Sequence, residues 1–205
     1  MPMFPRSFLI ALFLSLLVTA KAGADSPLTS TDFAEAYWDH PIVRKAKTTG
    51  VVDREIAAFL SGDSPLDVKA AVVNALGWDV HGKNNAQIYR RFLAQFYNTT
   101  PANLNLEVLS VGELFSLGYL TALDDYFNVV PALPLLQRAR RLARNSYTIA
   151  LIESLTRAQN ARDFCQKWLA VKPLEFPRQL DIDMRRTARA IVWEYMRMYE
   201  KYCDR

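Results

Sequence analysis

The sequence predicts an all-α fold, a single domain of about nine or ten mostly short helices arranged as an irregular helical bundle or as an array of helical hairpins. Apolar residues recur at helical spacing along most of the chain, and no alternating run lies between hairpin turns. Proline and glycine stand at the borders of the periodic segments, where helices commonly begin and end. Hydrophobic residues make up 51% of the chain, which favours a packed core over disorder.

The second to fourth predicted helices have boundary signals in the sequence. Gly50 and Gly62 follow the second and third helices, where a glycine commonly ends a helix. The fourth helix has the clearest boundaries, because Ser64 suits the N-cap, Pro65 suits the first helical position, and Gly77 follows the last apolar residue. These signals predict short helices joined by short turns.

The fifth and sixth predicted helices lie on either side of a polar connection. Asn84 and Gln87 have the spacing of a capping box at the start of the fifth helix. The sixth helix, within residues 110–128, has little polar face and is expected at the centre of the fold. Gly112 and Gly118 on this helix permit another element to approach closely.

The C-terminal part of the chain contains the remaining predicted helices. Asp181 or Asp183 suits the positively charged N-terminus of the last one. Successive helices of this length are also typical of HEAT-like helical-hairpin arrays, although no fixed repeat period is present. The four predicted segments are residues 131–145, 146–160, 161–173 and 181–203.

The N-terminal residues 1–24 have the composition of a secretory signal peptide. Arg6 precedes an apolar run of eleven residues, 8–18, and small residues follow, with cleavage expected after Ala22 or Ala24. The run is shorter than the ~20 residues that a membrane-spanning helix needs. We therefore expect an exported protein, in a bacterial periplasm rather than the extracellular medium, with no membrane span in the mature chain.

Charge is distributed unevenly along the predicted mature domain, residues 25–205. Residues 25–130 contain 8 Lys and Arg against 13 Asp and Glu, whereas residues 131–205 contain 15 against 8. The halves therefore carry net charges of −5 and +7. Two interpretations follow: the halves attract one another within one fold, or the basic half binds an anionic partner.

Five arginines of the basic half are the predicted binding residues. Arg138, Arg141 and Arg144 recur at intervals of three, and Arg185 and Arg189 are four residues apart on the last helix. Arginine forks suit carboxylates and phosphates, so the expected partner is another envelope protein or an anionic envelope polymer. Nucleic acid is not expected, because the aromatic residues fall on apolar stripes rather than between the basic residues.

Three carboxylates support an alternative function, hydrolysis of an envelope glycan or peptide. Glu113, Asp124 and Asp125 lie in one apolar region, where burial would raise a carboxyl pKa. Glycosidases need two carboxylates about 5 to 9.5 Å apart, and nothing in the spacing identifies such a pair. The chain has no G-x-S-x-G, H-E-x-x-H or phosphate-binding glycine motif.

Cysteine and histidine usage predicts a disulfide and no metal site. Cys165 and Cys203 are the two cysteines of the chain, both on predicted helices, and export would permit their oxidation. The two histidines, His40 and His81, have no companion at the spacing of metal ligands. No cofactor is expected.

The sequence therefore favours an exported, non-catalytic protein that acts by macromolecular binding, for example as an envelope assembly factor or an inhibitor or immunity-type protein. The hydrolase with Glu113, Asp124 and Asp125 is the alternative, and a carrier of an apolar ligand between helices is a weaker one.

Overall fold

The computed structural model describes residues 26–203, so the predicted signal peptide lies outside the described residues. Within this range the regular structure is all helical and contains no β-strand. Ser146 and Asp181 form an isolated β-bridge. The nine α-helices of the described part are α1 Pro41–Thr49, α2 Arg54–Ser61, α3 Leu66–Leu76, α4 Asn85–Phe96, α5 Val111–Asp124, α6 Leu133–Leu142, α7 Tyr147–Gln159, α8 Phe164–Val171 and α9 Arg186–Met196.

Helix α5 is the central element, as its apolar sequence predicts. Nearly all of its side chains are buried, and it contacts α2, α3, α4, α6 and α7. A Cβ atom on Gly118 would lie 2.9 Å from the Leu136 Cγ, so this glycine is what permits the close approach of α6. Helix α7 is the second buried helix and packs against α6 and α8.

The two ends of the described chain meet. Helix α9 packs against the 3₁₀ helix Phe33–Tyr37, the first helical element of the described residues. In a helical-hairpin array each repeat contacts only its neighbours, so the first and last helices do not meet. The irregular bundle therefore describes this fold, and the HEAT-like array does not.

Two predicted helix starts differ from the structure. Helix α3 begins at Leu66 with Pro65 at the N-cap, so the prediction of Ser64 as the cap was wrong by one position. The Asn84 side chain makes no capping hydrogen bond at α4. Instead, the Ala86 amide donates to the Asp124 Oδ2 at 2.7 Å, so a carboxylate from the end of α5 caps α4.

The last predicted helix is shorter than residues 181–203. Helix α9 starts at Arg186, and the 3₁₀ helix Arg197–Tyr202 continues it. Asp183 does not cap α9: its Oδ1 accepts the Thr148 amide at 2.8 Å and its Oδ2 accepts the Ser146 hydroxyl at 2.6 Å. This carboxylate serves the N-terminus of α7, and it ties the segment before α9 to the core.

The predicted pair of cysteines is bonded in the structure. The Sγ atoms of Cys165 on α8 and Cys203 lie 2.01 Å apart, and the bond links α8 to the chain that follows α9.

Among the helices of residues 26–203, none is long and apolar enough to cross a bilayer.

Candidate functional site

Two of the five predicted binding arginines contact the acidic half of the same chain. The Arg138 guanidinium forms a bidentate pair with Glu107. Arg185 forms another with Asp39, at 2.5 and 2.9 Å, and its guanidinium carbon lies 4.5 Å from the centre of the Tyr37 ring. The Arg185 hydrogen bonds hold the pKa of Asp39 at about 2, below the usual value of 3.8.

Arg141 and Arg144 are exposed at the end of α6. With Leu142, whose exposed fraction is 55%, they line a shallow depression of about 510 Å³. Asp181 and Asp183 also line it, and Asp183 is already hydrogen-bonded to the Thr148 amide at the start of α7. Both arginines are therefore accessible to a partner.

Arg189 lies in a separate groove beside α9, which we call the α9 groove. The groove has a volume of about 730 Å³, and its walls combine three arginines and two glutamates with aromatic rings. Phe176 forms one edge with 81% of its surface exposed, and the largely buried Trp193 lines the groove from the same face of α9 as Arg186 and Arg189. The residues that line it are Glu175, Phe176, Arg186, Arg189, Ala190, Trp193, Glu194 and Arg197.

The arginines of the α9 groove differ in their partners. Arg197 donates to the Glu175 Oε1 at 2.8 and 3.0 Å. Arg189 lies over the Tyr147 ring at 5.7 Å, and its buried Nε has no hydrogen-bond partner within residues 26–203. The exposed side chain of Arg186 forms no ion pair within the same range. Two guanidinium groups are thus available for an anion.

The binding residues predicted from the sequence do not include Phe176, Trp193 or Arg186. Phe176 follows the 3₁₀ helix Lys172–Leu174 in an irregular segment, so no helical periodicity marks its direction. Its position beside Pro177 was the available signal, because a large aromatic residue in a connecting loop has no predicted core to join. Arg186 is the first residue of α9, whereas Arg185 is the non-helical N-cap before it, and this boundary is not apparent in the sequence.

The three candidate catalytic carboxylates do not converge. Glu113 and Asp124 lie at opposite ends of α5, eleven residues apart, which corresponds to about 16 Å along the helix axis. Asp125 accepts the Asn128 amide at 3.2 Å in the following turn. A separation of this size exceeds the about 5 to 9.5 Å of a glycosidase pair.

Glu113 and Asp124 each have a structural partner. Glu113 and Ser110 form the capping box of α5, and Glu113 also accepts the Tyr97 hydroxyl at 2.9 Å. Burial raises the pKa of Asp124, while its bond to the Ala86 amide acts in the opposite direction. Within residues 26–203, no group of three or more His, Cys, Asp or Glu side chains is placed to hold a metal ion.

Comparisons with known proteins found no matching family model, no matching curated protein and no matching solved structure.

Proposed function

We propose that this chain is an exported, non-catalytic helical protein that binds an acidic segment of an envelope protein in the α9 groove. The proposal rests on one observation: the exposed Phe176 ring lines the same groove as Arg186 and Arg189, two guanidinium groups without a carboxylate partner in the described residues. Aromatic residues and arginine dominate the binding energy of protein interfaces. A partner segment with one apolar side chain and one or two carboxylates matches both parts of this groove.

The alternatives have less support from the geometry. A hydrolase would need carboxylates that converge on one cleft, and Glu113 and Asp124 lie at opposite ends of α5. A carrier would need a cavity that encloses its ligand, whereas the α9 groove is bordered by exposed residues such as Phe176 and Arg186.

Export is the first part of the proposal to test. N-terminal sequencing of the protein recovered from outside the cytoplasm should begin at Gly23 or Asp25. Mature protein that starts at Met1 would contradict the predicted signal peptide. The two-cysteine pattern agrees with export, because oxidising compartments maintain disulfides.

Site-specific crosslinking in the producing cells tests the groove. A photo-crosslinking residue in place of Ala190, an exposed position in the groove, should join the chain to one envelope protein. The same residue in place of Thr48, which is exposed on α1 and lines neither groove proposed for a partner, is the control and should not give this product. Equal crosslinking from both positions would argue against a specific groove.

Affinity for the purified partner provides the second measurement. We expect Arg186→Glu and Phe176→Ser each to weaken binding by about tenfold or more, as truncation of an interface hot spot does. Arg162→Glu and Leu169→Ser are matched controls, because both residues are exposed and lie outside the groove. Unchanged affinity of both groove variants would overturn the proposal.

A further inference from the structure

The acidic half of the chain carries two cations that the fold does not use. Residues 25–130 contain eight lysines and arginines, and six of them donate to a carbonyl or carboxylate oxygen. The side chains of Arg54 and Arg91 make no hydrogen bond or ion pair within residues 26–203. Both are exposed, and both line the same groove between α2 and α4.

The floor of this α2–α4 groove is apolar. The groove has a volume of about 690 Å³ and lies between Ala57 and Ala58 on one side and Ile88 and Phe92 on the other. The side chains of these two alanines are short, so they fill little of the space along the α2 wall. Phe96 extends the apolar wall with 64% of its surface exposed. Apolar side chains of a partner that enter such a groove would be removed from water, which favours binding.

The exposed aromatic ring is held in place from the core. The Phe96 ring lies edge-on to the Tyr97 ring at 5.2 Å, and the Tyr97 hydroxyl donates to the buried Glu113 at 2.9 Å. Asp53, the acidic residue of the groove, is already the N-cap of α2 and pairs with Lys45 at 2.5 Å. The groove is therefore a formed surface with an excess of positive charge.

We infer that the α2–α4 groove is a second docking site, which binds an acidic amphipathic helix of a partner protein. Ile88, Phe92 and Phe96 recur at intervals of four and span about 12 Å of α4. That length matches apolar anchors at positions i, i+4 and i+7 of a docked helix. Carboxylates that flank this stripe would reach Arg54 and Arg91, which gives charge complementarity on both walls.

An acyl chain fits the groove less well than a helix. Ala58 and Phe96 are exposed along its length, so a bound chain would keep much of its surface in water, whereas ligand pockets bury most of the ligand. A fatty acid also carries one carboxylate, and the groove presents two arginines. The α2–α4 groove shares no lining residue with the α9 groove, so the two proposals can fail separately.

The experiment uses the mature protein and three fluorescent 18-residue helical peptides. The first has leucine at i, i+4 and i+7 with flanking glutamates, the second has lysines in place of the glutamates, and the third has the first composition in scrambled order. We expect only the first to bind. Binding of the scrambled peptide, or no binding of the first, would overturn the inference.

Charge reversal of the protein identifies the groove. Arg54→Glu with Arg91→Glu should weaken binding of the glutamate peptide by more than tenfold and should create binding of the lysine peptide. Arg162→Glu is the control with one exposed arginine outside the groove. Phe96→Ser is the second test variant, because an exposed side chain can be replaced without loss of fold. Insensitivity of peptide binding to both the double charge reversal and Phe96→Ser, or displacement of the peptide by palmitate, would contradict the inference.

Discussion

A lysine is buried among the helices at a position where an apolar residue would be expected. Only 2% of the surface of Lys69 is exposed, and its Nζ donates to the carbonyl oxygens of Leu60 at 2.9 Å and Gly62 at 2.5 Å. Burial lowers the pKa of this ammonium group, and the nearby Glu113 acts in the opposite direction. Gly112 leaves the space that the ammonium group occupies, since a Cβ atom there would lie 2.3 Å from Nζ.

The first prediction concerns Gly112→Ala. The added methyl group would displace the Lys69 ammonium from its two carbonyl partners, and loss of a buried hydrogen bond costs about 1–3 kcal/mol of unfolding free energy. In a Lys69→Met background the cost should be smaller, because methionine has no atom in the place of the Lys69 Nζ. The nearest side-chain atom would then occupy the place of the Lys69 Cε, which lies 3.3 Å from the added methyl group. Urea unfolding of the four proteins in this cycle measures the coupling.

A second glycine supplies the control for this cycle. Gly118→Ala should also destabilise the fold, because its methyl group would meet the Leu136 side chain at 2.9 Å. Its cost should be the same with Lys69 or Met at position 69, since the two sites have no atoms in contact. An equal effect of Lys69→Met on both alanine variants would show that the ammonium group is not the obstacle at Gly112.

Among the elements, those with strong local signals are predicted best. The apolar helix α5 and the glycine stops of α1 and α2 lie where the sequence places them. The caps of α4 and α7 involve Asp124 and Asp183, which lie 38 and 35 residues from the amides they bind. Such contacts leave no local pattern, so the sequence alone makes Asp124 a candidate catalytic residue, and only the tertiary structure shows that it caps α4.

The second prediction concerns Asp124 as the cap of α4. Asp124→Ala should destabilise the protein by about 1–2 kcal/mol, the usual cost of removing an N-cap. Asp124→Asn keeps an oxygen acceptor and should cost less. These values are expected from urea unfolding near neutral pH, and an alanine variant as stable as the original chain would show that the capping bond contributes nothing.

The pH dependence of the same variants follows from the raised pKa of Asp124. Burial favours the protonated form of this carboxyl in the folded state, so its folded pKa is higher than its usual pKa of 3.8. The resulting stabilisation is fully present below pH 3.8 and is lost as the pH rises through the higher folded pKa. The original chain should therefore lose stability relative to Asp124→Asn as the pH is raised above 3.8. A constant difference between the two proteins would contradict the assigned shift.

The third prediction concerns the bond between α8 and the C-terminal 3₁₀ helix. Cys165 and Cys203 are 38 residues apart, and closing a loop of this size stabilises a fold by about 4 kcal/mol in the chain-entropy model. Replacement of both cysteines by serine should lower the unfolding free energy by a similar amount. Addition of a reductant should not change the unfolding free energy of this double variant. Equal stability of the original chain with and without reductant would show that the bond is absent or without consequence.

At the scale of the whole molecule, part of the uneven charge is paired within the fold. Arg138 with Glu107 and Arg185 with Asp39 connect the basic half to the acidic half. These pairs are partly exposed, and exposed ion pairs contribute little stability individually. The sequence shows the opposite charges of the two halves, but only tertiary structure distinguishes the arginines that face the acidic half from those that face solvent. The α9 groove was not predicted for the same reason.

The fourth prediction separates the internal arginines from those available to a partner. Arg141 and Arg144 are exposed beside the segment that leads into α9, so an acidic partner in the α9 groove would be within reach of their charges. Reversal of both to glutamate should leave the circular dichroism spectrum and the Tm nearly unchanged. It should weaken binding of the proposed acidic envelope partner by about tenfold, because two attractive charges become repulsive.

The control for this double variant is Arg162→Glu with Lys201→Glu, which makes the same change in net charge. Both positions are exposed and lie outside the α9 groove and outside the shallow depression beside Arg141 and Arg144. If long-range attraction to the +7 half were sufficient, both double variants would lose the same affinity, and the difference would vanish at high salt. A larger loss in the Arg141 and Arg144 variant that persists at high salt indicates direct contact. Substantial unfolding of that variant would instead mean that these arginines serve the fold, and unchanged affinity would confine the contact to the α9 groove.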